Sequence, residues 1–361
     1  MKIVINKTKL LYFDASTYEF NLGNFPETGK SITLENDNLL KFFQLMTKPV
    51  EYNEAISLLQ NINQCEESEA INAINYLISE KILIDNEDYE KLKQNKYYGR
   101  ELSYFFMLSN KNLLSRFEKE RHKQIAILGV GGIGSFVAEM LIRAGFDNLF
   151  LIDNDIVEPS NLIRQVGYSL KDIGNLKLTS MFDHLKEINP DSNIKIANVF
   201  IDEKKTLKLL IKDADFVVCT FDKPFRKIRP LINEVCVELE KPVLFSGFAE
   251  HVGMVGPFVV PNKTACLSCI NSPHNEPLNE LDSVPSYGPL CGIVGNFVSN
   301  EVINFFIRFK KSSLQNKTLM INLFNNRTKI IRWSKRKDCP ICGRKGWLLK
   351  ICVKHLKLNK C

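Results

Sequence analysis

The sequence predicts an α/β protein built on a mostly parallel sheet, with a smaller module ahead of it. Three observations predict this. Strands alternate with helices from Lys123 onward, a glycine-rich loop joins the first of those strands to its helix, and two Cys-x-x-Cys pairs lie in the last third of the chain. The 361 residues, 45% hydrophobic and 25% charged, are ordinary globular values and suffice for one large core and a small second one. Met1–Leu11 mixes Lys with apolar residues and has no continuous apolar run, and no stretch approaches the roughly 20 apolar residues of a membrane span. A cytoplasmic protein with no membrane contact is expected. The net charge of +7 comes from scattered Lys without interleaved aromatics, which speaks against nucleic acid.

Residues 1–90 read as a small α+β module. Lys2–Asn6 and Lys9–Phe13 have strand character, Leu39–Met46 and Asn53–Leu59 read as short helices, and Glu67–Glu80 as a third with Ile71, Ile74, Leu77 and Ile78 at helical spacing. The extended stub Lys81–Asp85 closes a winged-helix-like order. Residues 91–122 read as a charged linker that runs into a helix and carries Arg100.

Residues 123–345 read as the catalytic domain. Gln124–Leu128, Leu149–Ile152, Ile194–Phe200 and Phe216–Cys219 are the predicted strands; Ile133–Ala144, Leu176–Ile188 and Arg226–Leu239 are the helices between them. Pro242–Val260 is strand-like, Cys291–Phe309 is a helix, and Leu319–Leu323 with Thr328–Trp333 form a closing hairpin. The tail 346–361 is basic and partly apolar, and no role is assigned to it.

Gly129-Val130-Gly131-Gly132-Ile133-Gly134 lies between the first strand and its helix. Glycines let the backbone turn tightly and let phosphate oxygens approach it, and the free N–H groups of the helix start favour negative charge. This is a Rossmann-like signature, common to dinucleotide- and ATP-binding sheets. Asp153 follows Gly134 by 19 residues, at the end of the second strand, where an acid accepts hydrogen bonds from ribose.

The next motifs separate the two ligand classes. Asp153-Asn154-Asp155 leads to Ser160-Asn161-Leu162-Ile163-Arg164-Gln165; Gly174-Asn175-Leu176-Lys177 opens the following helix; Thr220-Phe221-Asp222 follows a later strand. The carboxyl edge of the sheet thus collects acids, an Asn, an Arg and a Lys where open α/β sheets bind ligands. This set suits adenylation, in which an oxygen attacks the α-phosphate of ATP and pyrophosphate leaves. Arg164 is suited to fork onto phosphate oxygens, Lys177 to act as a point charge, and Asp222 to hold Mg²⁺.

Cys266-Leu267-Ser268-Cys269 and Cys339-Pro340-Ile341-Cys342 are two knuckles with the spacing of a closed tetrahedral Zn²⁺ site, structural rather than catalytic. The other six Cys (Cys65, Cys219, Cys236, Cys291, Cys352, Cys361) are isolated and read as small buried hydrophobes.

Taken in order, Gly-x-Gly-Gly-x-Gly, Asp-x-Asp, Ser-Asn-Leu-x-Arg-Gln and Gly-x-x-Lys resemble the ThiF/MoeB group of ubiquitin-activating-enzyme-like adenylyltransferases, over roughly residues 95–343. The resemblance implies that Asp153 binds ribose, that Asn161, Arg164, Gln165 and Lys177 line the triphosphate, and that Asp222 holds Mg²⁺. It implies a homodimer in which Arg100, in Tyr98-Gly99-Arg100-Glu101-Leu102, is lent to the partner's ATP. It includes the four zinc cysteines. Many members carry a nucleophilic Cys after the first knuckle, but Ile270–Leu290 here contains none, and Cys291 reads as a packing residue. Together with Asp222-x-Pro224-Phe225 and Val260-Pro261-x-Lys263-Thr264-x-Cys266, this points to the microcin C-type peptide adenylyltransferases of the family, which modify the end of a small ribosomal peptide. The 1–90 module resembles peptide-clamp domains. The alternatives are an activating enzyme for a ubiquitin-like sulfur carrier and a non-catalytic leader-peptide scaffold. A nicotinamide oxidoreductase is more distant.

Overall fold

The computed structural model describes residues 1–22, 30–33, 37–108, 113–224, 226–270, 286–307 and 314–343. The tail 346–361 and Phe225 lie outside the described residues. By compactness the chain divides into two units, Met1–Arg116 and Phe117–Cys361.

In the first unit, β1 (Lys2–Ile5) is the centre of an antiparallel three-stranded sheet, flanked by β5 (Val50–Glu51) and β6 (Leu83–Asp85). A second antiparallel sheet joins β2 (Leu11–Asp14), β3 (Glu19–Leu22) and β4 (Lys30–Thr33). The helices α1 (Asp37–Leu45), α2 (Tyr52–Asn63) and α3 (Glu67–Ser79) bury Phe42, Phe43, Ile56, Leu59, Ile74 and Leu77 in one core with Ile3, Phe20 and Leu83. The α3 start is secured by a capping box between Glu66 and Glu69. Where the sequence suggested a linker, the chain forms α4 (Asn86–Gln94), α5 (Gly99–Leu108) and α6 (Leu113–Glu120). The charged Lys and Glu residues there are good helix formers, and Asp85 caps α4 by accepting from the Glu87 amide at 2.8 Å.

The second unit is organised by an eight-stranded sheet. Its parallel part comprises β7 (Ile125–Leu128), β8 (Asn148–Asp153), β9 (Asn193–Asn198), β10 (Phe216–Cys219) and β11 (Val243–Ala249). The antiparallel strands β12 (Val252–Val259), β13 (Lys317–Asn322) and β14 (Arg327–Arg332) extend it, giving the order β14-β13-β12-β11-β10-β7-β8-β9. The apolar runs of β7 and β10 are buried on both faces, as parallel strands covered by helices must be.

On one face lie α7 (Gly134–Arg143) and α12 (Gly288–Ile307). Phe305 and Phe306 of α12 meet Phe216 with ring centroids 5.2 and 5.9 Å away. On the other face lie α9 (Lys204–Ile211) and α10 (Ile228–Glu238), whose Leu207, Ile211, Ile228 and Ile232 share a core with Leu128, Val217 and Phe245. Next to α7 in sequence order comes α8 (Lys177–Ile188), and α11 (Leu267–Ile270) is the short helix of the first knuckle. The α12 helix is the one described helix long and apolar enough to cross a membrane, and most of its apolar stretch is buried in this core.

Candidate active site

The switch in strand order sets the location. From β7 the chain crosses to β8 and β9 on one side and to β10 and β11 on the other, so a crevice opens at the carboxyl ends of β7, β8 and β10. The glycine loop leaves β7 into this crevice. Gly129 has a φ of +98°, and a side chain there would press on the Thr220 hydroxyl. A Cβ on Gly134 would stand 1.8 Å from the Gly129 carbonyl oxygen, so only glycine lets the loop fold back onto α7. A Cβ on Gly131 would meet nothing within 4 Å, which leaves that part of the loop open to a ligand, and one on Gly132 would stand 3.0 Å from the Cys291 sulfur.

The loop is pinned from three sides. Asp153, 4% exposed at the end of β8, accepts from the Val130 amide at 2.7 Å and, with its other oxygen, from the amides of Asn154 and Asp155 at 2.8 and 2.9 Å. The Tyr168 hydroxyl donates to the Val130 carbonyl at 2.9 Å. Burial, reinforced by Asp153, Asp155 and Asp172, pushes the Tyr168 phenol well above its ordinary pKa and keeps it a donor. The Thr220 hydroxyl reaches the carbonyls of Leu128 and Gly129 at 3.0 and 2.9 Å.

Around the loop stand the polar side chains. Lys177, 5% exposed at the start of α8, pairs with Asp155 at 2.8 Å, and its backbone amide is bonded to the Asp155 carbonyl at 3.0 Å. Asn161 is buried in a 3₁₀ turn and accepts from the Glu158 amide at 3.1 Å. Arg164 donates to the Ser160 carbonyl at 2.6 Å and lies beside Gly132. Gln165 is 7% exposed, and its Oε1 has no hydrogen-bond partner, an uncompensated acceptor of the kind a ligand satisfies. Asp222 is exposed two residues past Thr220.

Cys291 is buried in the first turn of α12. Burial raises its thiol pKa, with the Arg164 guanidinium opposing. Arg100 lies on α5 of the first unit. These contacts bring the loop glycines Gly129, Gly131, Gly132 and Gly134 together with Asp153, Asp155 and its partner Lys177, and Arg164; Asn161 and Gln165 lie in the same segment as Arg164, and Asp222 in the turn after β10. Sequence reasoning missed Tyr168 and Arg229, whose Nε donates to the Phe221 carbonyl at 3.1 Å. Neither belongs to a short motif, so no local signal marked them.

The four cysteines Cys266, Cys269, Cys339 and Cys342 converge, with every Sγ within 4.8 Å of the others. The closest pairs are Cys269–Cys342 at 3.3 Å and Cys266–Cys339 at 3.6 Å. Thiolates about 2.3 Å from a tetrahedral ion would stand roughly 3.8 Å apart, so the cluster could bind a metal with small adjustments. It closes on itself, with Asn233 of α10 accepting from the Leu267 amide at 2.9 Å.

The ThiF family model matches residues 107–341. Among known proteins, the chain is similar to the molybdopterin-synthase adenylyltransferase of Escherichia coli K12, with 27% identity over 63% of this chain and 90% of that protein. It is 26% identical to the adenylyltransferase and sulfurtransferase UBA4 of Kluyveromyces lactis, over 87% of this chain and 70% of that protein. Its fold matches crystal structures of E. coli MccB. In complex with AMPCPP and MccA the TM-score is 0.81 at 23% identity, covering 95% of this chain and 100% of the other. With ATP the TM-score is 0.80 at 22% identity, covering 95% and 99%.

Proposed function

The chain belongs to the ThiF family of adenylyltransferases, and on that premise we propose that it adenylates the C-terminal end of a small ribosomally made peptide at the expense of ATP. The observation that carries this reading is the extent of the fold likeness. The family model begins at residue 107, whereas the likeness to MccB covers 95% of the chain and so takes in much of the first unit. The sequence between the first knuckle and α12 also lacks a thiol on which a carrier's acyl group could be captured.

In this reading the triphosphate lies along the open face of the glycine loop, on the amides at the start of α7. Asp153 takes the ribose with lone pairs left over from its three backbone bonds. Arg164 and Lys177 meet the phosphates, and the orphan Gln165 Oε1 and Asn161 complete the polar wall. An oxygen of the peptide end attacks the α-phosphorus, the bond to the bridging oxygen breaks, and pyrophosphate leaves. Arg164 and Lys177 balance the charge that grows on it.

Asp222 is an exposed carboxylate at the strand end nearest the glycine loop, which fits Mg²⁺, a cation that takes one or two carboxylates plus phosphate oxygens and water. When bound there, Mg²⁺ would neutralise phosphate charge. Zinc on the four cysteines would act structurally. A homodimer would bring Arg100 of one copy to the site of the other. The test is pyrophosphate release with ATP and Mg²⁺, offered either short peptides or a ubiquitin-like carrier. Release with peptide alone supports the reading; release with the carrier alone replaces it with carrier activation.

A further inference from the structure

The turn that carries Asp222 leaves β10 at Cys219 and enters α10 at Ile228, and the Thr220 amide ties its start to the Leu128 carbonyl of β7 at 3.0 Å. Its first residue is anchored by the Thr220 hydroxyl. Its second is anchored by a side chain from the helix it leads to. Arg229 donates Nε to the Phe221 carbonyl at 3.1 Å and Nη2 to the carbonyl of Ser246, a fully buried residue of β11. The guanidinium thus straps the residue before Asp222 to the neighbouring strand. The site is shaped to admit it, since a Cβ on Gly247 would lie 2.5 Å from Nη2 and 3.4 Å from the guanidinium carbon.

We propose that Arg229 is a positioning residue that fixes the Asp222 carboxylate in the crevice and so sets how tightly Mg²⁺ binds with ATP; this rests on Asp222 being a magnesium ligand. The Phe221 carbonyl belongs to the peptide plane that leads into Asp222, and tilting that plane swings the carboxylate. Mg²⁺ demands near-ideal octahedral geometry at about 2.0–2.1 Å, so small swings cost affinity. A planar fork with fixed donor directions can bridge two carbonyls, whereas an ammonium at the end of a Lys chain has no such fixed fork.

The experiment measures ATP binding by calorimetry, once with Mg²⁺ and once with EDTA, and takes the ratio of the two affinities as the coupling. Asp222→Ala abolishes that coupling. Arg229→Met lowers it about tenfold, the usual size of an effect on a residue that orients a metal ligand. Affinity in EDTA stays within about twofold, since the strap makes no phosphate contact, and Arg229→Lys fails to restore the loss. Should Arg229→Met not fold, Gly247→Ala displaces the guanidinium without removing it and gives the same loss in part. Unchanged coupling in both variants, or equal losses with and without Mg²⁺, overturns the proposal. Full coupling in Asp222→Ala overturns it through the ligand assignment instead, a failure seen in a different variant.

Discussion

In the proposed site, the pair Lys177–Asp155 is where an incoming phosphate would meet a buried cation. Lys177 is buried, whereas its ion-pair partner Asp155 is largely exposed. A phosphate can therefore share the ammonium while Asp155 turns to solvent. Lys177→Met is expected to cut pyrophosphate release about 100-fold or more, the scale of losing one donor to transition-state charge, with little change in thermal midpoint. Asp155→Ala is expected to cost folding stability instead, by roughly 1–3 kcal/mol, because it strands a buried cation; a denaturant melt distinguishes the two. Gly134→Ala should abolish ATP binding in calorimetry, since its Cβ would run into backbone. These positions were legible because they sit in motifs of contiguous residues. Tyr168 and Arg229 were not, because their partners are backbone carbonyls 38 and 8 residues away. A side chain that grips a carbonyl leaves no composition or spacing to read.

Among the elements, the strands and helices of the parallel sheet were readable to within a few residues, because double burial writes an unbroken apolar run into β7 and β10. The amphipathic α9, with Leu207 and Ile211 inward, was passed over, as were β3 and β4, whose short segments are half or more polar and sit among turn residues. The pairing of β12 with β13 was not legible either, because it joins Val252 to Asn322, far apart in sequence; the local β11–β12 hairpin turns at Glu250-His251, which carries neither Gly nor Pro to mark it.

Two elements carry predictions. The α7–α12 contact depends on small residues: a Cβ on Gly295 would stand 2.6 Å from the Phe136 Cβ, so Gly295→Val should lower the melting temperature of the second unit by several degrees. In the first unit, Lys81 enters β6 buried, with its ammonium donating to the Phe106 carbonyl and 4.8 Å from that ring. Burial, with Lys9 adding repulsion, lowers its pKa to about 8. The unfolded chain keeps the higher value and binds more protons between the two, so stability should rise as pH climbs from 8 toward 10. Lys81→Met should flatten that rise in melts recorded across the range.

Two cores with a boundary near Arg116 make the chain a catalytic unit joined to a smaller α+β unit. The family signature falls almost wholly in the larger one. The charged stretch that read as a linker is helical and belongs largely to the first unit, because Leu92, Leu102 and Phe105 are buried, a sparse apolar set diluted by Lys and Glu in the sequence. If the first unit serves peptide capture, a chain truncated before Phe117 should raise the KM for peptide far more than the KM for ATP. Equal rises would mean that it only supports the fold.

Intact-mass spectrometry of the peptide after incubation with ATP, Mg²⁺ and the purified protein bears most directly on the assignment. The expected result is a peptide heavier by one AMP unit, or one that has lost water through that intermediate, with one pyrophosphate released per peptide converted. Peptides that return unmodified while a ubiquitin-like carrier accumulates an acyl-adenylate would contradict it.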